Sequence, residues 1–369
     1  MPARTPARHP GSTATTTRTP TTRAAPTRRL RRRRGRCRAR ADTRQAAAAL
    51  TAPAARVSLS GLPMGLRIAF FCMESVFSVA PLEALLAAGH DVRLVVRPVG
   101  PLSSRRDPVL RRHRGFDLAM RRLLGLHDDA ARVNPLALAA DRDIPAWLCG
   151  DASTPAMQAL LRKERVELIV VAFFNQLLRP ALLASVPLGA VNLHPSLLPA
   201  YRGPAPLFWM FKDGVEQGGL TVHRIAPGED DGAVLRRVPV PIPLGVAGED
   251  LVDKLAAVAR AAVGDGVDDV ARGVAGVPQE HTAATRAPRP VAEDLVVDGA
   301  LPARRVFHFA RGVGRWNQLV AHAAGVRLRV IDAIDVDDAR TIPGEHALVG
   351  DELHLGCRDG VVRLKVRPP

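Results

Sequence analysis

Residues 66–96, LRIAFFCMESVFSVAPLEALLAAGHDVRLVV, decide the fold. The run at 66–71 is almost unbroken apolar sequence, as in a strand buried on both faces, and 92–96 is a second run of the same kind. Between them VAPLEALLAAGHDV reads as an amphipathic helix that stops at Gly89, because glycine takes the left-handed turn that ends helices. Strand, helix and strand in so short a span form a βαβ unit, and a βαβ unit implies a parallel sheet.

The pattern continues outward. IPAWLC (144–149), a helix from Thr154 to about Glu164, the strand ELIVVAFF (167–174), a short helix around RPALLAS and the strand GAVNLH (189–194) extend the sheet. PLFWMFKDGV (206–215) reads as helical. GGLTVHRIA and AVLRRVPVPI read as two strands around the turn PGEDDG (227–232), and a helix is expected over 249–263. Residues 264–300, rich in Gly, Pro and Ala, read as a linker. The short β runs after a helix at Ala303 suggest a small β-barrel of OB-like size. The expected architecture is α/β: a leader (1–65), a Rossmann-like parallel-sheet domain (66–263), a linker (264–300) and an OB-like domain (301–369).

The net charge of +16 points to nucleic acid, but its distribution changes that reading. Residues 1–65 hold fifteen Arg and one acid, Asp42, leaving the remainder near neutrality. Such a leader has little to bury and is expected to be disordered. It reads as an upstream extension before Met64, as an organellar transit peptide, or as a polybasic RNA-gripping arm. Within the body the densest positive stretch is 97–122, with eight Arg against two Asp. The four cysteines, Cys37, Cys72, Cys149 and Cys357, form no CxxC pair, so neither a disulfide framework nor a metal site is indicated. The longest apolar run is too short to span a bilayer. A monomer in the cytoplasm is expected, or in an organelle if the leader is a transit peptide.

The chemistry collects in VNLHPSLLPAYRG (191–203). Asn192 and His194 lie two apart on a strand and face one side. In an open α/β sheet, ligands sit beyond the carboxyl ends of the strands. An amide and an imidazole there suit a developing oxyanion, and Asp230 or Asp231 from PGEDDG would raise the imidazole pKa and fix its tautomer. No GxSxG elbow or catalytic-cysteine setting is present, so the nucleophile is expected to come from a substrate.

VNLHPSLLPAYRGPAP followed by GGLTVHRIAPGEDDG resembles the folate-dependent formyltransferases, from about Leu66 to the C-terminus. The resemblance implies transfer of a formyl group from 10-formyltetrahydrofolate to a primary amine, with no metal. It implies Asn192, His194 and Asp230 as catalytic residues, with Asn192 and a protonated His194 stabilising the oxyanion. It also implies a folate pocket formed by Ser196, Leu197, Leu198 and Pro199 together with the loop residues Asn175, Gln176 and Leu177. Asn175 stands where the family carries glycine, and asparagine tolerates unusual backbone angles better than most residues.

Among these enzymes the architecture is closest to the methionyl-tRNA formyltransferases, which implies methionyl-initiator-tRNA as acceptor, with Arg202, Arg105 and Arg106 binding it. The alternatives are an N-formyltransferase of a nucleotide-linked amino sugar and a non-catalytic RNA-binding protein using the leader. A formyltetrahydrofolate hydrolase would require a regulatory domain that 1–65 cannot form.

Overall fold

The computed structural model describes residues 65–99, 109–113, 134–323, 325–339 and 346–368. Arg105, Arg106 and most of the basic stretch at 97–122 lie outside the described residues. β1 (Arg67–Cys72), α1 (Val76–Ala87) and β2 (Asp91–Pro98) form the expected βαβ unit. Ser75 caps α1 by accepting from Phe77 N at 3.1 Å, and Gly89 leaves the helix at φ 81°. The chain continues through β3 (Leu110–Arg112), α2 (Pro135–Asp141), β4 (Ala146–Cys149), α3 (Pro155–Lys163) and β5 (Leu168–Ala172). It then forms α4 (Pro180–Leu183), β6 (Ala190–His194), α5 (Pro206–Asp213), β7 (Gln217–Arg224), β8 (Val234–Pro241) and α6 (Gly248–Ala271).

These strands make one eight-stranded sheet in the order β3-β4-β2-β1-β5-β6-β7-β8. The central five are parallel, while β3, β7 and β8 pair antiparallel. The fold is therefore mixed α/β with a parallel-rich sheet, as expected, and β7 and β8 form the hairpin expected around the turn PGEDDG. β7 follows β6 after the short α5, lies antiparallel to it, and brings a new strand face beside Asn192 and His194.

α6 continues past Val263 to Ala271, through GDGVDDVA, which composition assigns to a linker. The reason is packing: a Cβ on Gly266 would stand 2.6 Å from Val222 Cγ1, so glycine lets the helix lie close on β7. The rest of the expected linker is also held. It pairs with the loop at 199–205, and Lys212 Nζ meets Asp294 Oδ1 at 2.8 Å.

The C-terminal part forms β9 (Val296–Val297), α7 (Ala303–Val313), β10 (Val320–Ala323), β11 (Val326–Asp337), β12 (His346–Val349), β13 (Glu352–Cys357) and β14 (Gly360–Arg367). Its six strands order as β12-β13-β14-β11-β10-β9. The sheet does not stand apart, because α7 packs on α5. The Phe309 and Phe208 rings lie 5.3 Å apart edge to face, and His308 lies 5.0 Å from Phe211. One apolar core runs from β1 through α7 into β14. Among the described residues no helix is long and apolar enough to cross a membrane.

Candidate active site

At the carboxyl end of β6, Asn192 and His194 project toward one side, and β7 adds a third group. The antiparallel register sets His223 opposite Asn192 and Thr221 opposite His194. The turn after β7 returns Asp230 to the same place. Asn192 Nδ2 donates to Asp230 Oδ1 at 3.3 Å and lies 3.2 Å from His223 Nε2. His194 Nδ1 stands 3.5 Å from Asp230 Oδ2, and Gly203 N–H donates to that oxygen at 2.9 Å. The structure thus brings the sequence-singled Asn192, His194 and Asp230 within reach of one another, and adds His223.

Tautomers follow from the carbonyls. His194 Nε2 lies 2.9 Å from Tyr201 O, and His223 Nδ1 lies 2.9 Å from Arg224 O. A carbonyl only accepts, so both of these nitrogens carry hydrogen. His194 is left with Nδ1 facing Asp230. His223 Nε2 is left to accept from Asn192, and the Asn192 amide spends both its N–H groups within the cluster. Only its oxygen remains for a substrate, so the expected role of Asn192 as an oxyanion donor requires one of these bonds to be given up.

His194 is 4% exposed. Burial lowers its pKa below the ordinary 6.5, and the opposing pull of Asp230 does not reverse the direction. The carboxylate does pull the His194 pKa upward, as expected, but burial outweighs that pull, so the net direction is downward. Burial alone would raise the Asp230 carboxyl, but His194, His223 and the Gly203 N–H together hold it well below the usual carboxylate range. Donors that do not titrate, Gly203 N–H and the Asn192 amide, support the same direction.

These groups open on a cleft of about 1140 Å³ whose walls include Phe173, Asn175, Leu177, His223 and, from the C-terminal part, Trp316 and Asn317. Asn175 Oδ1 is buried without a partner, and Leu177 is exposed. The left-handed residue of this loop is Phe173 (φ 56°), not Asn175. Gln176 lines the cleft but is occupied: its amide accepts from Ala152 N and donates to Gly150 O, both at 2.9 Å.

The segment Ser196 to Pro199, expected to contact the folate, is not among the residues lining the cleft. Ser196 is fully buried, with Oγ donating to Ala200 O at 2.7 Å. Leu197 lies over Gly219, and Leu198 N donates to Thr221 Oγ1, which itself donates to Ser196 O. These residues brace the loop that carries Tyr201 and Gly203. Arg202, expected to bind the acceptor, is 7% exposed, and its guanidinium is bound to Gln279 Oε1 (3.0 and 2.7 Å) and faces His281 Nδ1 (3.3 Å).

Gly203 has a specific reason to be glycine. Its φ is 119°, and a Cβ there would stand 2.9 Å from Ala287 O. Gly203→Ala is expected to destabilise the fold by about 1–3 kcal/mol and to lower kcat, because the N–H held on Asp230 must move. Thermal melts and steady-state rates on the same preparation check both effects.

The family model described as formyl transferase matches residues 125–265. A methionyl-tRNA formyltransferase of Roseiflexus sp. (strain RS-1) is 31% identical over 307 residues, covering 82% of this chain and 87% of its own. The chain belongs to the formyltransferase family. A second such relative, from Pelobacter propionicus, is 32% identical over 232 residues, 62% of this chain and 71% of its own. Among solved structures, the N-formyltransferase of Helicobacter canadensis, in complex with folinic acid and dTDP-3-aminofucose, superposes on this formyltransferase with a TM-score of 0.56 at 12% identity, over 81% of this chain and 98% of its own. HypX from Aquifex aeolicus gives 0.54 at 17% identity, over 82% and 44%. At these identities the two structures speak to the fold alone.

His223 escapes the sequence reading although its signal is present. In LTVH, alternation puts Thr221 and His223 on one face, and antiparallel pairing with β6 turns that face toward Asn192.

Proposed function

We propose that this enzyme transfers the formyl group of 10-formyltetrahydrofolate to the α-amino group of methionyl-initiator-tRNA, with His194, Asp230 and Asn192 as its catalytic residues. The observation that carries the reading is an imidazole whose Nε2–H is fixed by Tyr201 O while Nδ1 faces the Asp230 carboxylate at the wall of the cleft. The amine nitrogen forms a bond to the formyl carbon, and the carbon–nitrogen bond to the folate breaks. The proton lost by the amine passes to His194 Nδ1 and returns to the departing folate nitrogen. Asp230 stabilises the imidazolium formed between these steps, and the new imidazolium faces the oxyanion. The Asn192 oxygen accepts an N–H of the incoming amine. Asn175 and Leu177, which line the cleft, are the loop residues we assign to the folate.

Acceptance of tRNA is supported by the relatives' names and by the outer face of the C-terminal sheet. Arg329 stands directly opposite Arg367, with Arg327 opposite His322. Like charges paired across strands cost stability, and a polyanion would offset that cost. We read this sheet as the OB-like unit, since β11 has two register shifts against β14 of the kind that bend a strand.

The test incubates the full chain with 10-formyltetrahydrofolate and either charged initiator tRNA or a panel of nucleotide-linked amino sugars. Formylmethionyl-tRNA is the expected product. Formylation of a sugar and not of the tRNA reassigns the acceptor and leaves the chemistry in place.

A further inference from the structure

The stretch 272–300 is the part of the chain whose composition reads as a tether, and the formyl-transfer scheme gives it no task. Its hydrogen bonds do. Thr285 N donates to Pro199 O (3.3 Å), Tyr201 N to Thr285 Oγ1 (2.8 Å) and Arg202 N to Thr285 O (2.9 Å). Ala287 N donates to Arg202 O (2.7 Å), and Ala205 N to Ala287 O (3.0 Å). The loop held in this way carries Tyr201 O, which fixes His194, and Gly203 N–H, which binds Asp230. A shift of this strap is transmitted to both groups.

Gln279 stands at its head, 6% exposed, and one carboxamide makes four hydrogen bonds. Nε2 donates to Asp230 O at 2.8 Å and Gly232 O at 2.7 Å, while Oε1 accepts from Arg202 Nε and Nη2. Asp230 itself has φ 51°, a left-handed conformation that a non-glycine residue keeps only where its surroundings over-determine it. Gln279 supplies that constraint from the carbonyl side, and Gly203 N–H and Asn192 supply it from the carboxylate side.

We infer that Gln279 is a positioning residue for formyl transfer: its amide holds the Asp230 turn in the left-handed conformation and locks it to the Arg202 loop, keeping carboxylate and imidazole in register. This rests on the roles proposed above for His194 and Asp230. Two variants test it. Gln279→Glu keeps a partner for Arg202, but a carboxylate cannot donate to Asp230 O and Gly232 O, so it isolates the donor half of the contact. Gln279→Ala removes both halves.

In each variant kcat per folded molecule is expected to fall about 10²-fold, the size of effect a small misplacement of reacting groups produces. KM for the formyl donor should stay within about two-fold, since Gln279 does not line the cleft. The acid limb of the rate profile should also move. The titratable groups facing His194 are His223 from β7 and Glu229 and Asp230 from the turn, with Arg202 beyond Gln279. In the glutamate variant the Asp230 carboxylate is expected to turn away from the ring, which moves the limb to lower pH.

Titration of His194 by NMR with ¹³Cε1-labelled histidine makes the same comparison without turnover. If the wild type does not formylate charged tRNA, the acceptor assignment fails while the Gln279 test still stands. Wild-type kcat and an unmoved His194 titration in Gln279→Glu overturn the inference. So does a rate loss that only follows the folded fraction at an unchanged pH profile.

Discussion

His194→Ala is expected to lower kcat by about 10²–10⁴-fold, the range for losing a positioned proton-transfer group. The variant should also lose about 1–3 kcal/mol of stability, since the Tyr201 carbonyl is left without its donor in a buried site. A histidine read only as the end of a strand would leave stability nearly untouched on removal, but this ring is too enclosed for that. The two effects separate by denaturant unfolding: rates taken where the variant is fully folded must still show the loss.

The pH dependence of the wild type follows from the same ring. Burial lowers the His194 pKa below 6.5, so the neutral form persists into mildly acidic solution. As pH falls, His194 gains a proton at Nδ1, the base is lost, and kcat/KM drops. The acid limb is therefore expected below pH 6.5, and the residual rate of His194→Ala should show no such limb. An acid limb well above that value in the wild type would contradict a neutral resting imidazole.

The sequence made the framework legible and hid the cross-links. β1, α1 and β2 follow from apolar runs and one glycine, and the Asn192/His194 pair follows from strand alternation, because those signals are local. His223 depends on antiparallel pairing between β6 and β7, which no local periodicity records. Arg202 looks like a solvent-facing cation after two prolines, and it is buried only because Gln279 and His281, far along the chain, satisfy its guanidinium. The strap itself has no helix or strand period. It follows the 199–205 loop through irregular hydrogen bonds, so a composition reading sees only Gly, Pro and Ala. The end of α6 is hidden for a related reason: Gly266 weakens the helical pattern locally, yet the neighbouring strand requires a glycine there.

Asp230→Asn carries the second large effect, an expected loss of about 10²–10³-fold in kcat. Both carboxylate oxygens are engaged, Oδ1 by the Asn192 amide and Oδ2 by Gly203 N–H. An asparagine offers one oxygen and one NH₂, so whichever way it turns, one of these donors faces another donor. The negative charge beside His194 is also gone, so the imidazolium is harder to form and the acid limb should move to lower pH than in the wild type.

Stability separates the charge from the geometry. The Asp230 pKa is held below its ordinary 3.8, so the unfolded chain binds its proton first as pH falls. The stability it contributes is fully present above that ordinary value and is lost as pH drops through it toward the lower folded one. The difference in unfolding free energy between the wild type and Asp230→Asn should therefore shrink below about pH 4, after holding or widening at higher pH because His194 takes up its proton at lower pH in the variant. If the gap instead stays constant down to about pH 3, the carboxylate is not held in its charged form.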